Sequence, residues 1–506
     1  MPLTRRRFLS LTTATALSFP LIGSRVFGAN NTIRVALIGC GNRGSALFGM
    51  FQGIPGVEMV AICDPDLDCM AKLLKNIEKK QISSIPKADP ENEEQQKAYR
   101  AAVDRAKTDV RRINCIQDHR KLLERKDIDA VVIASPNYWH TLHAIQAMQA
   151  GKDVYLEKPV SHSLWEGQQL VAAESKYNRI VQAGFQNRSD PGPREGIKYA
   201  TSGELGKILG VHVCCLNNRK SIGPVRTEPW AAEANLDYNL WLGPASDVPI
   251  TRNKLHYDWH WVWNTGNGDV GNQAPHEIDL ACWTLGDAPL PTRIQSTGGR
   301  FAWNDAGETP NILTTWYEQA GIPVIIEVNN LCISPTVNAA PLRNGIRIGV
   351  VIKCEGGEVR GGRGGMYAVA EDGKTKLQSF KGDGGASHQR NFIDAVRSRK
   401  RDSLTSSLVD AEKSSAIAHL ANLSFRSGSP STEAELDKSI GGHAVIPTIL
   451  QEQKAQLEGW GVERPEYTLG APVQVDPATR VASCKGLELD WVHTPGRGEF
   501  VVPELG

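Results

Sequence analysis

This sequence predicts an α/β chain with two unlike sheets: a doubly wound parallel sheet first, then an α+β domain built on a mixed, largely antiparallel sheet. Three observations carry that prediction. From Ile33 the chain reads as an apolar run IRVALIG, a glycine turn, a helical stretch SALFGMFQGI and a second apolar run VEMVAICD, which together make a strand–helix–strand unit. Its strands are continuously apolar rather than alternating, as in a parallel sheet covered on both faces. Beyond Pro159 the strand candidates RIVQAGFQ, KILGVHVCCLNN, PTRIQSTGG, PVIIEVNN and GIRIGVVIKCEGGEV follow, the later ones with few helices between them, the pattern of a mixed sheet with one face open for packing.

The elements divide the 506 residues into four parts. Residues 1–29 read as an export signal: Arg5, Arg6 and Arg7, then the mildly apolar LSLTTATALSFPLIG, then small residues up to Ala29. Thr4-Arg5-Arg6-Arg7-Phe8-Leu9 resembles the twin-arginine signal, and Pro20 with several Thr and Ser makes the run a poor membrane span. The expectation is a periplasmic or otherwise extracytoplasmic protein, not inserted in the membrane once the signal is removed. Residues 30–158 form the first domain, with a charged, solvated helical insertion over about 72–112. The sheet resumes at DIDAVVIASP, followed by a helix through HTLHAIQAMQAG and a strand at DVYLEKP. Residues 159–430 form the second domain. It opens with the helix LWEGQQLVAAESKY, closes with the helices ASHQRNFIDAVRSR and SLVDAEKSSAIAHLANLSF, and is expected to form a homo-oligomer interface. Residues 431–506, with scattered Pro and Gly, read as a wrapping extension.

Hydrophobic residues make up 41% and charged residues 22%, with a formal net charge of +1. This balance lacks the Lys/Arg excess that nucleic acid or an anionic membrane surface demands, and it suits a neutral small substrate. The ten cysteines show no CxxC and no mixed Cys/His spacing of the zinc type, so no metal site is expected from spacing. Most read as small buried apolar residues; a Cys332–Cys354 disulfide is left open.

Gly39-Cys40-Gly41-Asn42-Arg43-Gly44 is a GxGxxG run between a predicted strand and a predicted helix. Gly39 permits the tight turn, Gly41 lets the backbone approach a pyrophosphate, and Gly44 allows close helix–strand packing, while the helix N-terminus offers free N–H groups. Asp64 ends the second strand, where a carboxylate accepts hydrogen bonds from ribose hydroxyls and repels a 2′-phosphate. The first domain is thus read as a Rossmann domain holding NAD in preference to NADP.

Four stretches, GCGNRG, SPNYWH at 135–140, EKP at 157–159 and GNGDVGNQAPHEID, resemble the Gfo/Idh/MocA family of oxidoreductases over about residues 31–430. The tail, with FVVPE near its end, is similar to the longer bacterial members that carry export signals. Glu157 ends the strand YLE and Lys158 follows it, which places Lys158 at the carboxyl edge of the sheet, where it can donate to a substrate hydroxyl and stabilise developing alkoxide. His276 is the candidate general acid/base, since hydride loss from an alcohol also requires removal of the hydroxyl proton. The family pattern maps onto Gly266, Gly268, Asn272, Ala274, His276 and Asp279, and departs at Asn272, where many members have an aspartate. Asparagine positions a hydroxyl but cannot take its proton, which shifts that role to His276 or to Lys158.

Ser135, Pro136, Asn137 and His140 match the family's loop on the nicotinamide-ribose side, although Asn137 reads equally well as a helix cap. Gln186 and Arg188 match a strand entering the active site, and an exposed strand end explains them nearly as well. In HYDWHWVWN, the residues His256, Tyr257, Trp259, His260, Trp261 and Trp263 offer flat faces for sugar C–H surfaces, or interface packing instead. One or two of the six are expected to touch substrate, with Trp259, His260 and Trp263 chosen.

The resemblance implies an NAD-dependent oxidoreductase acting on a sugar or cyclitol hydroxyl, and TRRRFLS, resembling a signal for export of folded proteins, implies that its NAD is tightly bound. The alternatives are a redox-neutral glycosidase, lyase or epimerase working through a transient keto-sugar, and a non-catalytic NAD- or sugar-binding protein.

Overall fold

A computed structural model describes residues 32–505 apart from residues 229 and 232; the export signal read at 1–29 lies outside the described residues. The first layer runs β1 (Ile33–Ile38), α1 (Asn42–Gln52), β2 (Val57–Cys63), α2 (Leu67–Ser83), α3 (Glu93–Arg111), β3 (Asn114–Ile116), α4 (His119–Glu124), β4 (Ala130–Ile133), α5 (Asn137–Gln149), β5 (Asp153–Leu156), α6 (Leu164–Tyr177) and β6 (Val181–Ala183). Its six strands lie in the order β3-β2-β1-β4-β5-β6 and every pair is parallel. Helices on both faces explain why β1, β4 and β5 are apolar at nearly every position. The charged insertion forms α2 and α3, joined by a loop. The sheet passes residue 158, where the sequence reading ended the domain, and takes in β6.

The second layer runs α7 (Pro191–Thr201), β7 (Ile208–Leu216), α8 (Tyr238–Leu242), α9 (Gly268–Asn272), α10 (Pro275–Thr284), β8 (Arg293–Gly299), β9 (Ile312–Gln319), β10 (Ile322–Asn329), β11 (Ile348–Cys354), β12 (Gly357–Gly362), β13 (Gly365–Ala370) and β14 (Lys376–Lys381). These strands order as β14-β13-β12-β11-β7-β10-β9-β8; only β7 and β10 pair in parallel, so the sheet is mixed and largely antiparallel. One face packs on α10 and on α12 (Leu408–Arg426) through Ile278, Leu280, Ile417 and Leu420.

Two later segments cross the order of the chain. Helix α11 (His388–Ser398) packs Phe392 and Ile393 against the first layer, among Phe51 of α1 and Tyr155 of β5. The extension contributes α13 (Glu433–Ile440) and α14 (Ile446–Gly459), which cover Trp316, Ile325 and Leu331 on the mixed sheet's other face. The face expected to be available for packing is, over this part, packed by the chain's own extension. Phe500 then reaches back to Trp139 of α5, ring centroids 5.3 Å apart. All ten cysteines are free thiols, Cys332 and Cys354 included, so the disulfide left open is not formed. No helix among the described residues is long and apolar enough to cross a membrane.

Candidate active site

The carboxyl edge of the parallel sheet opens into a cavity of about 450 Å³. Its floor is the turn after β1. Gly39 has φ +93°, and a Cβ there would stand 2.5 Å from Ser135 N, so only glycine fits. A Cβ on Gly44 would meet Gly39 O at 1.9 Å, which is how α1 comes so close to β1. Gly41 is the opposite case: nothing lies within 4 Å of its Cβ position, and it lines the cavity with Cys40, Asn42 and Arg43. As N-cap of α1 it supplies no side-chain cap, leaving the first-turn N–H groups for an anion. A dinucleotide's diphosphate fits this cradle.

Asp64 lines the wall at the end of β2 and accepts from Cys40 N–H (2.7 Å) and Asp66 N–H (3.0 Å). Burial pushes its carboxyl up to about 6, against those two donors. Arg43 crosses to Glu157, with Nε and Nη2 at 2.7 and 2.6 Å from Oε1. Lys158 stands beside that pair, its Nζ donating to the backbone carbonyl of Asn272 and lying 3.4 Å from Asn272 Oδ1. Burial, and then the Arg43 charge, lower the Lys158 pKa, while Glu157 opposes them.

The next residue, Pro159, follows a cis peptide, and its carbonyl lies 2.6 Å from His140 Nδ1. His140 Nε2 faces Ser135 O at 2.8 Å, so this histidine braces the strand ends that carry the site. Asn137 is the first residue of α5 rather than its cap; its Nδ2 donates to Asn267 Oδ1 at 2.6 Å.

The roof is the segment between β7 and α9. Asp237 N–H donates to Pro65 O and Leu67 N–H to Asn235 O, both at 3.0 Å, while Tyr138 Oη and Trp139 Nε1 donate to Trp241 O. Helix α5 is buried almost all round because it lies between the parallel sheet and this roof. His256, Tyr257, Trp259 and His260 line the cavity, and the Trp259 and His260 rings stack 3.6 Å apart. Tyr257 sits at φ +67°, a strained position for a residue with a Cβ.

Other expected site residues lie elsewhere. Trp263 is off the cavity, its ring under the Arg426 guanidinium at 4.8 Å. Gln186 is buried, donating to Tyr155 Oη at 2.9 Å. Arg188 grips Asp279 (2.9 Å) and Asp287 (2.6 Å) with a side chain only 7% exposed, which leaves no free face for a ligand. His276 falls four residues beyond Asn272 and does not line the cavity. Its Nδ1 is buried without a partner, its ring meets Phe185 edge-on, and burial with the Lys158 and Arg43 charges holds its pKa well below the usual value.

Sequence reasoning passed over Asp269, which is buried and accepts from Arg219 (2.8 Å), Asn330 (2.7 Å) and Asn272 Nδ2 (3.1 Å). It orients the Asn272 amide under Lys158. A lone acid inside the glycine-rich run GNGDVGN was the available signal.

A glycine cradle, a strand-end acid and a lysine at the sheet edge define a Rossmann-fold dinucleotide site. Residues 33–185 match the model of an oxidoreductase family with an NAD-binding Rossmann fold, and residues 199–333 match its C-terminal α/β domain. The chain belongs to the Gfo/Idh/MocA oxidoreductase family. Among curated relatives, a glycosyl hydrolase family 109 protein of Saccharopolyspora erythraea is 32% identical over 153 residues, 30% of this chain and 28% of that protein. Inositol 2-dehydrogenase 4 of the same organism is 28% identical over 198 residues, 39% of this chain and 48% of that protein. The chain thus spans less than half the length of these two relatives. The solved structure of GenD2 from gentamicin A biosynthesis, in complex with NAD, matches 76% of this chain and 92% of that one, with TM-score 0.51 and 18% identity, a likeness of fold.

Proposed function

We propose that this chain is an exported oxidoreductase that moves hydride between a sugar or cyclitol hydroxyl carbon and tightly held NAD. The observation that carries the reading is Lys158: its ammonium rests on Asn272 inside the cavity into which the glycine cradle opens. NAD, when bound, supplies the hydride acceptor or donor. Asp64 favours it over NADP, since a carboxylate at the end of β2 repels a 2′-phosphate.

Lys158 uses N–H groups on Asn272 and keeps donor capacity for a substrate hydroxyl. Its lowered pKa leaves a larger fraction neutral at a given pH, and so able to take a proton, than an exposed lysine would have. Asn272 orients the hydroxyl but holds no proton, so proton acceptance falls to Lys158; His276 lies off the cavity, and burial with nearby cations keeps its pKa well below the usual value. The stacked Trp259 and His260 present a flat face for sugar C–H groups. The roof over the cavity supports tight cofactor retention, and TRRRFLS supports export of a chain that has already folded around its cofactor.

Asn272 favours one second reading, a redox-neutral reaction through a transient keto-sugar, and relatives named as glycosyl hydrolases support it. The test is to release and quantify NAD from purified protein, then add sugars, cyclitols and glycosides. NADH accumulation supports net oxidation, and product release without net reduction supports the second reading. A protein that neither carries nor binds NAD overturns both.

A further inference from the structure

We propose that Asp66, Cys69 and His256 form a divalent transition-metal site, of the zinc class, that fastens the roof segment to helix α2. Asp66 is the N-cap of α2, and Cys69 follows three residues later, so both face the same side of the first turn. His256 arrives from the roof. Asp66 Oδ1 accepts from Asp68 N–H at 2.8 Å, which leaves Oδ2 for other partners. Oδ2 lies 2.7 Å from His256 Nε2 and 3.5 Å from Cys69 Sγ, and Sγ and Nε2 are 3.8 Å apart.

These atoms are a carboxylate oxygen, a sulfur and an imidazole nitrogen, the ligand types zinc takes. With bond lengths of about 2.0–2.3 Å, tetrahedral ligands stand roughly 3.3–3.6 Å apart. Two of the three separations here are already close to that. The third needs a small outward movement of His256, which is half exposed. A fourth position is left for water or another donor. Spacing along the chain could not show the site, because His256 lies 187 residues beyond Cys69.

On binding, the Cys69 thiol gives its proton to solvent as the S–metal bond forms. The proton that His256 Nε2 shares with Asp66 Oδ2 passes to Nδ1 or to solvent, which frees the Nε2 lone pair and Oδ2 for two metal bonds. Asp64 and Lys72 are other charges acting on Cys69; Asp64 adds negative field that favours a cation, and Lys72 opposes it. No redox change is involved.

The test uses the full-length folded protein, stripped with a chelator and titrated with Co²⁺ and then Zn²⁺. The expected result is one equivalent per chain, a thiolate-to-cobalt charge-transfer absorption, and loss of that band with more than about tenfold weaker binding in Cys69→Ser and in His256→Ala. Thermal melting of each variant in chelator, matched to parent in chelator, establishes that it is folded. Absence of the charge-transfer band in the parent, or stoichiometric binding that survives in both variants, overturns the proposal. Neither readout depends on NAD or on turnover, so its failure is distinct from failure of the oxidoreductase reading.

Discussion

Arg43, inside the glycine loop, places Nε and Nη2 on a single carboxylate oxygen of Glu157, 114 residues away and next to Lys158. The cofactor cradle and the lysine are therefore one mechanical unit. Glu157 is nearly fully buried, whereas the Arg43 side chain is 34% exposed. Breaking a wholly buried pair costs about 3–5 kcal/mol, and partial exposure of Arg43 reduces that for Glu157→Gln to about 2 kcal/mol. Arg43→Met strands the buried carboxylate and costs more. Urea unfolding of both variants, with NAD content after purification, measures this; a Glu157→Gln protein as stable and as NAD-replete as the parent refutes the coupling.

What could be read from the sequence was local. Continuous apolar runs marked β1, β2, β4 and β5, and the roles of Gly39, Gly41 and Gly44 followed from backbone geometry between a strand and a helix. Long-range partners carry no such signal. Arg188 looks like a strand-end cation until Asp279 and Asp287 arrive 91 and 99 residues later to enclose it. Helix α11 shows an apolar face in sequence but not that the face belongs to the first sheet. Trp263 has the composition of its neighbours Trp259 and His260, yet it packs under Arg426 instead of facing the cavity.

Arg188→Met tests that reassignment. Removing the guanidinium leaves Asp279 fully buried without its cation and Asp287 without its tightest partner. The expected cost is about 3–5 kcal/mol of stability, read by denaturant unfolding, with KM for the proposed sugar or cyclitol substrate unchanged in the folded fraction. A raised KM at unchanged stability would restore a substrate role.

Glu277 gives a pH signature. Full burial raises its carboxyl from 4.5 to about 8, while Gln273, which donates to it at 3.2 Å, and the Lys158 charge pull the other way and Asp269 adds to the rise. The folded state holds this proton more tightly than the unfolded chain does. Stability from this group is therefore complete below pH 4.5, is lost as pH rises to about 8, and levels above it. At about 1.4 kcal/mol per unit the loss amounts to a few kcal/mol. Glu277→Gln should match the parent near pH 5 and exceed it above pH 8 in chemical denaturation; parallel curves for the two proteins contradict the assignment.

Asn272→Asp separates the two catalytic readings. The Asn272 amide now donates to Asp269 Oδ1 at 3.1 Å while its oxygen lies near Lys158. An aspartate loses that donor and sets two carboxylates against each other, so one of them binds a proton more tightly than usual and becomes a base beside Lys158. The expected stability cost is about 1–2 kcal/mol, from a buried donor lost and like charges brought together. If net oxidation is limited by hydroxyl deprotonation, NADH accumulation should rise by about tenfold or more at neutral pH, with a new acid limb in the kcat/KM profile. Lys158→Met is the control: with the lysine gone, both net oxidation and redox-neutral turnover should fall by about 10²–10⁴-fold, while NAD stays bound. An Asn272→Asp protein with an unchanged product partition and an unchanged pH profile would show that residue 272 is not where the hydroxyl proton is handled, and would leave that role to Lys158 alone.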